Sequence, residues 1–114
     1  MDKLAKYRQL IKQLLLDHES LINRSRWQPN LETHALCDET RDRYMIFETG
    51  WWGPKRVHST TIYVRLYKNK VYIEEDWTED GITPVLMNAG IPREDIVLAF
   101  HPPEMRQHTE FAIA

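Results

Sequence analysis

The sequence predicts an α+β fold: one antiparallel sheet of about four to five strands, with a long N-terminal helix and a second helix packed on one face. Three observations predict it. Apolar residues recur at helical spacing over residues 3–23. Four later segments alternate or are rich in β-branched and aromatic residues. A further helical stretch, closed by Gly90, precedes a short apolar run. With 114 residues, the chain has the size of a single domain, assigned to 1–114.

The first helix follows from Leu4, Tyr7, Ile11, Leu14, Leu15, His18, Leu21 and Ile22, which fall on one face at steps of three and four. Asp2 is placed to cap its start, and Pro29-Asn30 ends the region. The strands are Leu31–Cys37, Arg43–Thr49, Thr60–Tyr67 and Val71–Trp77. A charged turn, Asp38-Glu39-Thr40-Arg41-Asp42, separates the first two. With Asn69-Lys70 as the hairpin loop of the last two, Leu66 faces Ile73, Tyr67 faces Tyr72 and Arg65 faces Glu74. That register puts Ile62, Val64, Leu66, Val71, Ile73 and Trp77 on the core side. Tyr63, Arg65, Tyr67, Tyr72, Glu74 and Asp76 then share the other side. Residues 79–89 read as the second helix, with Glu79 and Asp80 at its positive end and Gly90 as its C-terminal cap. Pro92 opens one more turn through Asp95, Val97–Phe100 is a short strand, and the apolar tail Phe111–Ala114 is expected to dock on the core.

Composition narrows function. Hydrophobic residues are 42% and charged residues 28%, ordinary for a globular protein. No run reaches the length of a membrane helix, the N-terminus lacks the apolar core of a secretory signal, and the single Cys37 excludes an internal disulfide. A cytoplasmic protein without membrane contact is expected. The net charge of −2 hides a split: residues 1–70 sum to +5 and residues 71–114 to −7. Such asymmetry suits head-to-tail association or a basic partner for the acidic end. It disfavours a surface that grips nucleic acid throughout.

No constellation signals catalysis. The acidic run Glu74-Glu75-Asp76-Trp77-Thr78-Glu79-Asp80 has the oxygens for a cation, but it spans a strand end, a turn and a helix start, so its carboxylates are expected to diverge. The five histidines lack zinc-ligand spacing. There is neither a phosphate-binding glycine loop nor a nucleophile elbow. Cys37 reads as a small buried hydrophobe. A faint helix–turn–helix look over residues 77–96 fails because its second segment, Pro92-Arg93-Glu94-Asp95, is short and net acidic. No enzymatic activity, metal or cofactor is expected.

Two surfaces suit a macromolecular partner instead. The loop Gly50–Arg56 combines Trp51 and Trp52 with Lys55 and Arg56, a set that stacks on bases, anchors protein interfaces or simply packs a turn. The sheet side carrying Tyr63, Arg65, Tyr67, Tyr72 and Glu74 is rich in interface residue types, the alternative being cross-strand pairs on a solvated sheet. The expected partner-binding residues are therefore Tyr63, Arg65, Tyr67, Tyr72, Glu74, Trp51, Trp52 and Arg56. Arg65→Glu or Tyr72→Ala is expected to weaken binding without unfolding the domain.

The stretches WTEDGI (Trp77–Ile82), AGIPREDIVLAFHPP (Ala89–Pro103) and the ending from Arg106 through Thr109–Ala114 carry a resemblance to the XisI family, the fdxN-element excision controlling factor. Met1–Leu10, Arg41-Asp42-Arg43-Tyr44, Gly50-Trp51 and Arg56 also fall where that family's pattern has them, so the similarity spans nearly the whole chain. It departs at Arg65, where the family tends to be acidic, at Tyr72, where it tends to carry tryptophan, and at Trp77 or Thr78, where it tends to carry glycine. The resemblance implies a role in controlling site-specific DNA excision in cyanobacteria, association with a second factor, XisH, and no known catalytic residues. The expected function is that of a non-enzymatic accessory or regulatory protein that binds a XisH-like partner, with DNA contact at most indirect and homo-oligomerisation left open. The alternatives are an antitoxin-like inhibitory subunit, whose acidic half covers a basic nuclease surface, and a direct DNA-binding accessory protein.

Overall fold

In a computed structural model, which describes residues 2–26 and 29–114, the elements run α1 (Lys3–Ser25), β1 (Leu31–Asp38), β2 (Arg43–Trp52), β3 (Lys55–Tyr67), β4 (Lys70–Asp76) and α2 (Thr83–Asn88). A 3-10 turn (Arg93–Asp95), β5 (Ile96–Leu98) and α3 (Pro103–Arg106) complete the chain. Met1, which opens the N-terminal family-like stretch, lies outside the described residues. The five strands lie in sequence order, β1-β2-β3-β4-β5. The first three pairings are antiparallel, but β4 and β5 run parallel. The sheet is thus mixed, because β4 and β5 are joined by a crossover carrying α2, not by a hairpin.

The helix α1 forms as its periodicity requires. Asp2 Oδ1 accepts from Ala5 N–H at 2.8 Å and satisfies one of the open donors of the first turn. Tyr7, Ile11 and Leu15, four residues apart, are buried against Tyr44, Ile46, Ile62, Val64, Val71 and Ile73 of the sheet. Leu21 departs from expectation and is 53% exposed. The second half of α1 also guards the outer edge of β1. Glu19 Oε2 accepts from Ala35 N–H at 2.6 Å, and Asn23 Nδ2 donates to the Thr33 carbonyl at 3.1 Å. Those groups would otherwise be open to an added strand.

The second helix is shorter than the predicted 79–89. Gly81 takes a left-handed φ of 76°, which no helix can continue through. Asp76 Oδ2 accepts from Ile82 N–H at 2.7 Å, and α2 starts only beyond it, with Pro84 in its first turn. Its end is as expected: Gly90 (φ 108°) lets Gly90 N–H reach the Met87 carbonyl and Ile91 N–H reach the Leu86 carbonyl. Leu86 and Ile91 are buried in the same core as α1, so both helices cover one face.

The β3–β4 hairpin turns at Lys68-Asn69, both left-handed (φ 52° and 63°), and not at Asn69-Lys70. Every pair is therefore displaced by two residues: Leu66 faces Val71, Arg65 faces Tyr72 and Val64 faces Ile73. A shift of two preserves which side each residue takes, so the core side holds for Ile62 through Ile73. It fails beyond them. A bulge leaves Glu74 unpaired between the Val64–Ile73 and Tyr63–Glu75 pairs. Asp76 consequently pairs with Ile62 on the helix side, and Trp77, predicted in the core, is 77% exposed.

The first half of the predicted tail docks, whereas Ile113 is 55% exposed. Phe111 packs on the core, Ala112 N–H donates to the Ile96 carbonyl at 2.8 Å, and Ala112 bridges Val97 in parallel. Arg106 clamps the approach by donating to the carbonyls of His101 (3.0 Å) and Ala99 (3.3 Å). Deleting Phe111–Ala114 is expected to cost about 1–2 kcal/mol, the worth of one partly buried large side chain and its attached backbone. A thermal melt followed by circular dichroism checks this, and an unchanged midpoint would contradict the docking.

Candidate protein-interaction face

Helices cover one side of the sheet, so the side chains pointing the other way form the candidate site. Its densest part is a cluster around Arg65, whose guanidinium carbon lies 4.4 Å from the Tyr67 ring centre and 5.4 Å from that of Tyr72. Arg65 Nε is 3.3 Å from Glu74 Oε1, an ion pair without hydrogen-bond alignment. The Tyr67 and Tyr72 rings meet edge-on with centres 5.4 Å apart. One strand over, Arg43 Nη1 donates to Tyr63 Oη at 2.7 Å. The structure therefore brings five of the predicted residues together: Tyr63, Arg65, Tyr67, Tyr72 and Glu74.

They are not equally available. Tyr67 is 45% exposed, whereas Tyr72, on a strand paired on both edges, is 5% exposed beneath Arg65. Tyr72 is a support for this face and not an exposed contact, which corrects the expectation that Tyr72→Ala leaves the fold intact.

The other three predicted residues lie elsewhere. Gly50, Trp51 and Trp52 are not loop but strand: β2 and β3 continue as a two-stranded ribbon, with Trp51 opposite Arg56 and Trp52 opposite Lys55 across a tight tip at Gly53-Pro54. Arg65 and Arg56 are nine residues apart on β3, about 30 Å at strand rise. The predicted set is thus two surfaces. At the tip, the Arg56 guanidinium carbon sits 5.4 Å from the Trp51 ring centre, and Trp51 and Trp52 are about half exposed.

The sequence reading missed the β1–β2 part of this face. Leu36, 53% exposed, borders a shallow depression with Met45, Phe47, Thr60 and Glu75. The alternation supplied a signal: buried Leu31 and Thr33 share a side with Ala35 and Cys37, which forces Leu36 outward. Cys37 lies partly buried against the core, and burial pushes its thiol pKa up.

The acidic run diverges as expected. Glu74 pairs with Arg65, Glu75 accepts from Trp77 Nε1 at 3.1 Å, and Asp76 accepts from Thr78 and Ile82. Among the described residues no three His, Cys, Asp or Glu side chains group closely enough to hold a metal ion, and no helix is long and apolar enough to cross a membrane.

Two carboxylates do have strong settings, both between α1 and the turns it covers. Asp42 receives Arg8 through two hydrogen bonds of 2.7 and 3.0 Å and the Tyr44 hydroxyl at 3.0 Å. Chiefly through Arg8, it is held below the usual carboxylate range. Asp95 receives the Tyr7 hydroxyl at 2.5 Å and pairs with Lys3 at 2.9 Å. Burial opposes its ionisation, but these two donors outweigh burial and leave its pKa lowered. Both are locks between helix and sheet.

The comparisons with known proteins are consistent with one another. The model of the family described as XisI protein matches residues 1–113. The crystal structure of the fdxN element excision controlling factor XisI from Anabaena variabilis ATCC 29413 is similar at 39% identity and a TM-score of 0.85, covering 99% of this chain and 100% of that one. A XisI-like protein from the same organism is similar at 30% identity and a TM-score of 0.89, over 97% of this chain and 99% of the other. No curated protein sequence matches.

Proposed function

The chain belongs to the XisI family, and on that premise we propose that it is a cytoplasmic, non-enzymatic controlling factor that binds a XisH-like protein through the helix-free face of its sheet. Its effect on DNA excision is then indirect, exerted through that partner. One observation carries the reading: on this face Arg65, Tyr67 and Glu74 stand over buried Tyr72, with exposed Leu36 two strands away on the same side of the sheet. Arg and Tyr are the residue types that anchor interfaces. Their positions rest on paired strands, so little ordering entropy is lost on binding.

The test is co-purification and titration calorimetry with a XisH-like protein, followed by DNA binding by each protein alone and by the pair. Tyr67→Ser and Leu36→Glu change exposed side chains and are expected to weaken the complex by about 1–3 kcal/mol each while leaving the melting temperature in place. Tyr72→Ala should instead lower the melting temperature, through about 3 kcal/mol of lost core packing. Unchanged affinity in both surface variants would remove the sheet-face assignment. Salt-dependent DNA binding by this chain alone, with no protein complex, would replace the reading by direct DNA contact.

A further inference from the structure

Two surfaces remain that this role leaves unused, and they complement each other. The first is a groove of about 420 Å³ between α1 and the approach to α2. Leu14, Leu21, Ile82 and Val85 supply its apolar lining, and Leu21 and Val85 are each 53% exposed. Asp17, Glu79 and Asp80, all exposed, rim it, and among the described residues no Lys or Arg lines it. Its one imidazole, His18, is held toward the neutral form by burial, against the pull of Asp76, and offsets little of that negative charge.

The second surface is the ribbon tip, where Trp51 and Trp52 stand beside exposed Lys55 and Arg56. Indole and guanidinium together match an apolar floor with an acidic rim. We propose that the β2–β3 tip of one copy of this chain docks in the α1–α2 groove of a second copy.

The contact must be between molecules. The strand β3 passes Asp76, near the groove, at Ile62 and runs seven more residues to Lys55, about 23 Å away. A second copy is the favoured occupant because the complementary charges are written into one chain, +5 over residues 1–70 and −7 over residues 71–114. If the exchange is reciprocal, two identical contacts close a dimer about a twofold axis.

Analytical ultracentrifugation of the full chain tests this. The wild type is expected to sediment above the monomer mass and to dissociate with added salt. Arg56→Glu and Asp80→Arg, both exposed changes, should each weaken association about tenfold or more. Mixing the two variants should restore it, because the reversed charges then face each other. A monomeric wild type, indifference to both variants, or failure of the mixture to reassociate would each overturn the proposal. So would an assembly lost only in Leu36→Glu, which would place the contact on the sheet face, or capture of the groove solely by a foreign basic protein.

Discussion

Replacing Gly50 by alanine is expected to lower stability by about 2–4 kcal/mol, roughly 10–20 °C of melting temperature for a domain of this size. Two independent features produce the effect. The residue has φ of 145°, in the region that side chains rarely enter. A Cβ there would overlap the Asn30 carbonyl oxygen and come within 2.9 Å of Leu31 Cα. Neither neighbour can give way. The Asn30 oxygen accepts from Trp51 N–H at 2.9 Å, and Leu31, buried, is paired directly with Gly50. Gly50 is thus where the chain entering β1 crosses β2 at closest approach, and it fixes where the ribbon leaves the sheet. A chemical denaturation curve checks the size of the loss. A change under about 0.5 kcal/mol, the level of an ordinary surface substitution, would mean that the crossing is loose.

This glycine also shows what was legible in the sequence. Gly50-Trp51 read as the start of a loop, because glycine beside aromatic and cationic residues is turn-like; its actual duty is close passage of a second backbone, which only the pairing of β1 reveals. Helix α1 was legible because burial alone dictates its period, and Asp2 marks its start. On β3 and β4 the side taken by each residue was legible as far as Ile73, since parity survives a displacement of two. The pairing itself was not, because Lys68-Asn69 is a two-residue turn without the glycine that usually marks one. A bulge has no reliable single-sequence signature, so Glu74 reversed the sides of Asp76 and Trp77 unseen. For the candidate site, residue types gave the Arg65–Tyr67–Tyr72–Glu74 cluster, but not its separation from Trp51 and Arg56 nor the depth of Tyr72. Those depend on how far the ribbon extends and on β4 being an inner strand.

Substituting Asp42 by alanine is expected to cost about 3 kcal/mol, the second large effect. Three losses combine. The bidentate pair with Arg8 ties α1 to the β1–β2 turn, and its removal leaves a partly buried guanidinium unpaired. The hydroxyl of Tyr44, a fully buried residue, loses its acceptor. The residue also has φ of 54°, where asparagine and aspartate are better tolerated than alanine. Asp42→Asn keeps that backbone preference and one acceptor oxygen, so it should lose less. The pH dependence separates the electrostatic part. Both Asp42 and Asp95 have folded-state pKa values below the ordinary carboxylate range, so the unfolded chain binds protons more readily than the folded one. Their contribution is fully present above the unfolded value of about 4 and is lost as pH falls through the lower folded value. Wild-type stability should therefore decline on acidification below about pH 4, and Asp42→Asn should flatten part of that decline while starting from a lower plateau. The buried phenols of Tyr7 and Tyr44, raised chiefly by burial, act at the other end: their contribution is lost as pH rises beyond the unfolded value of about 10. Denaturation midpoints across pH for the wild type and Asp42→Asn measure both effects, and parallel curves in acid would show that the Arg8–Asp42 pair carries no net charge-dependent stability.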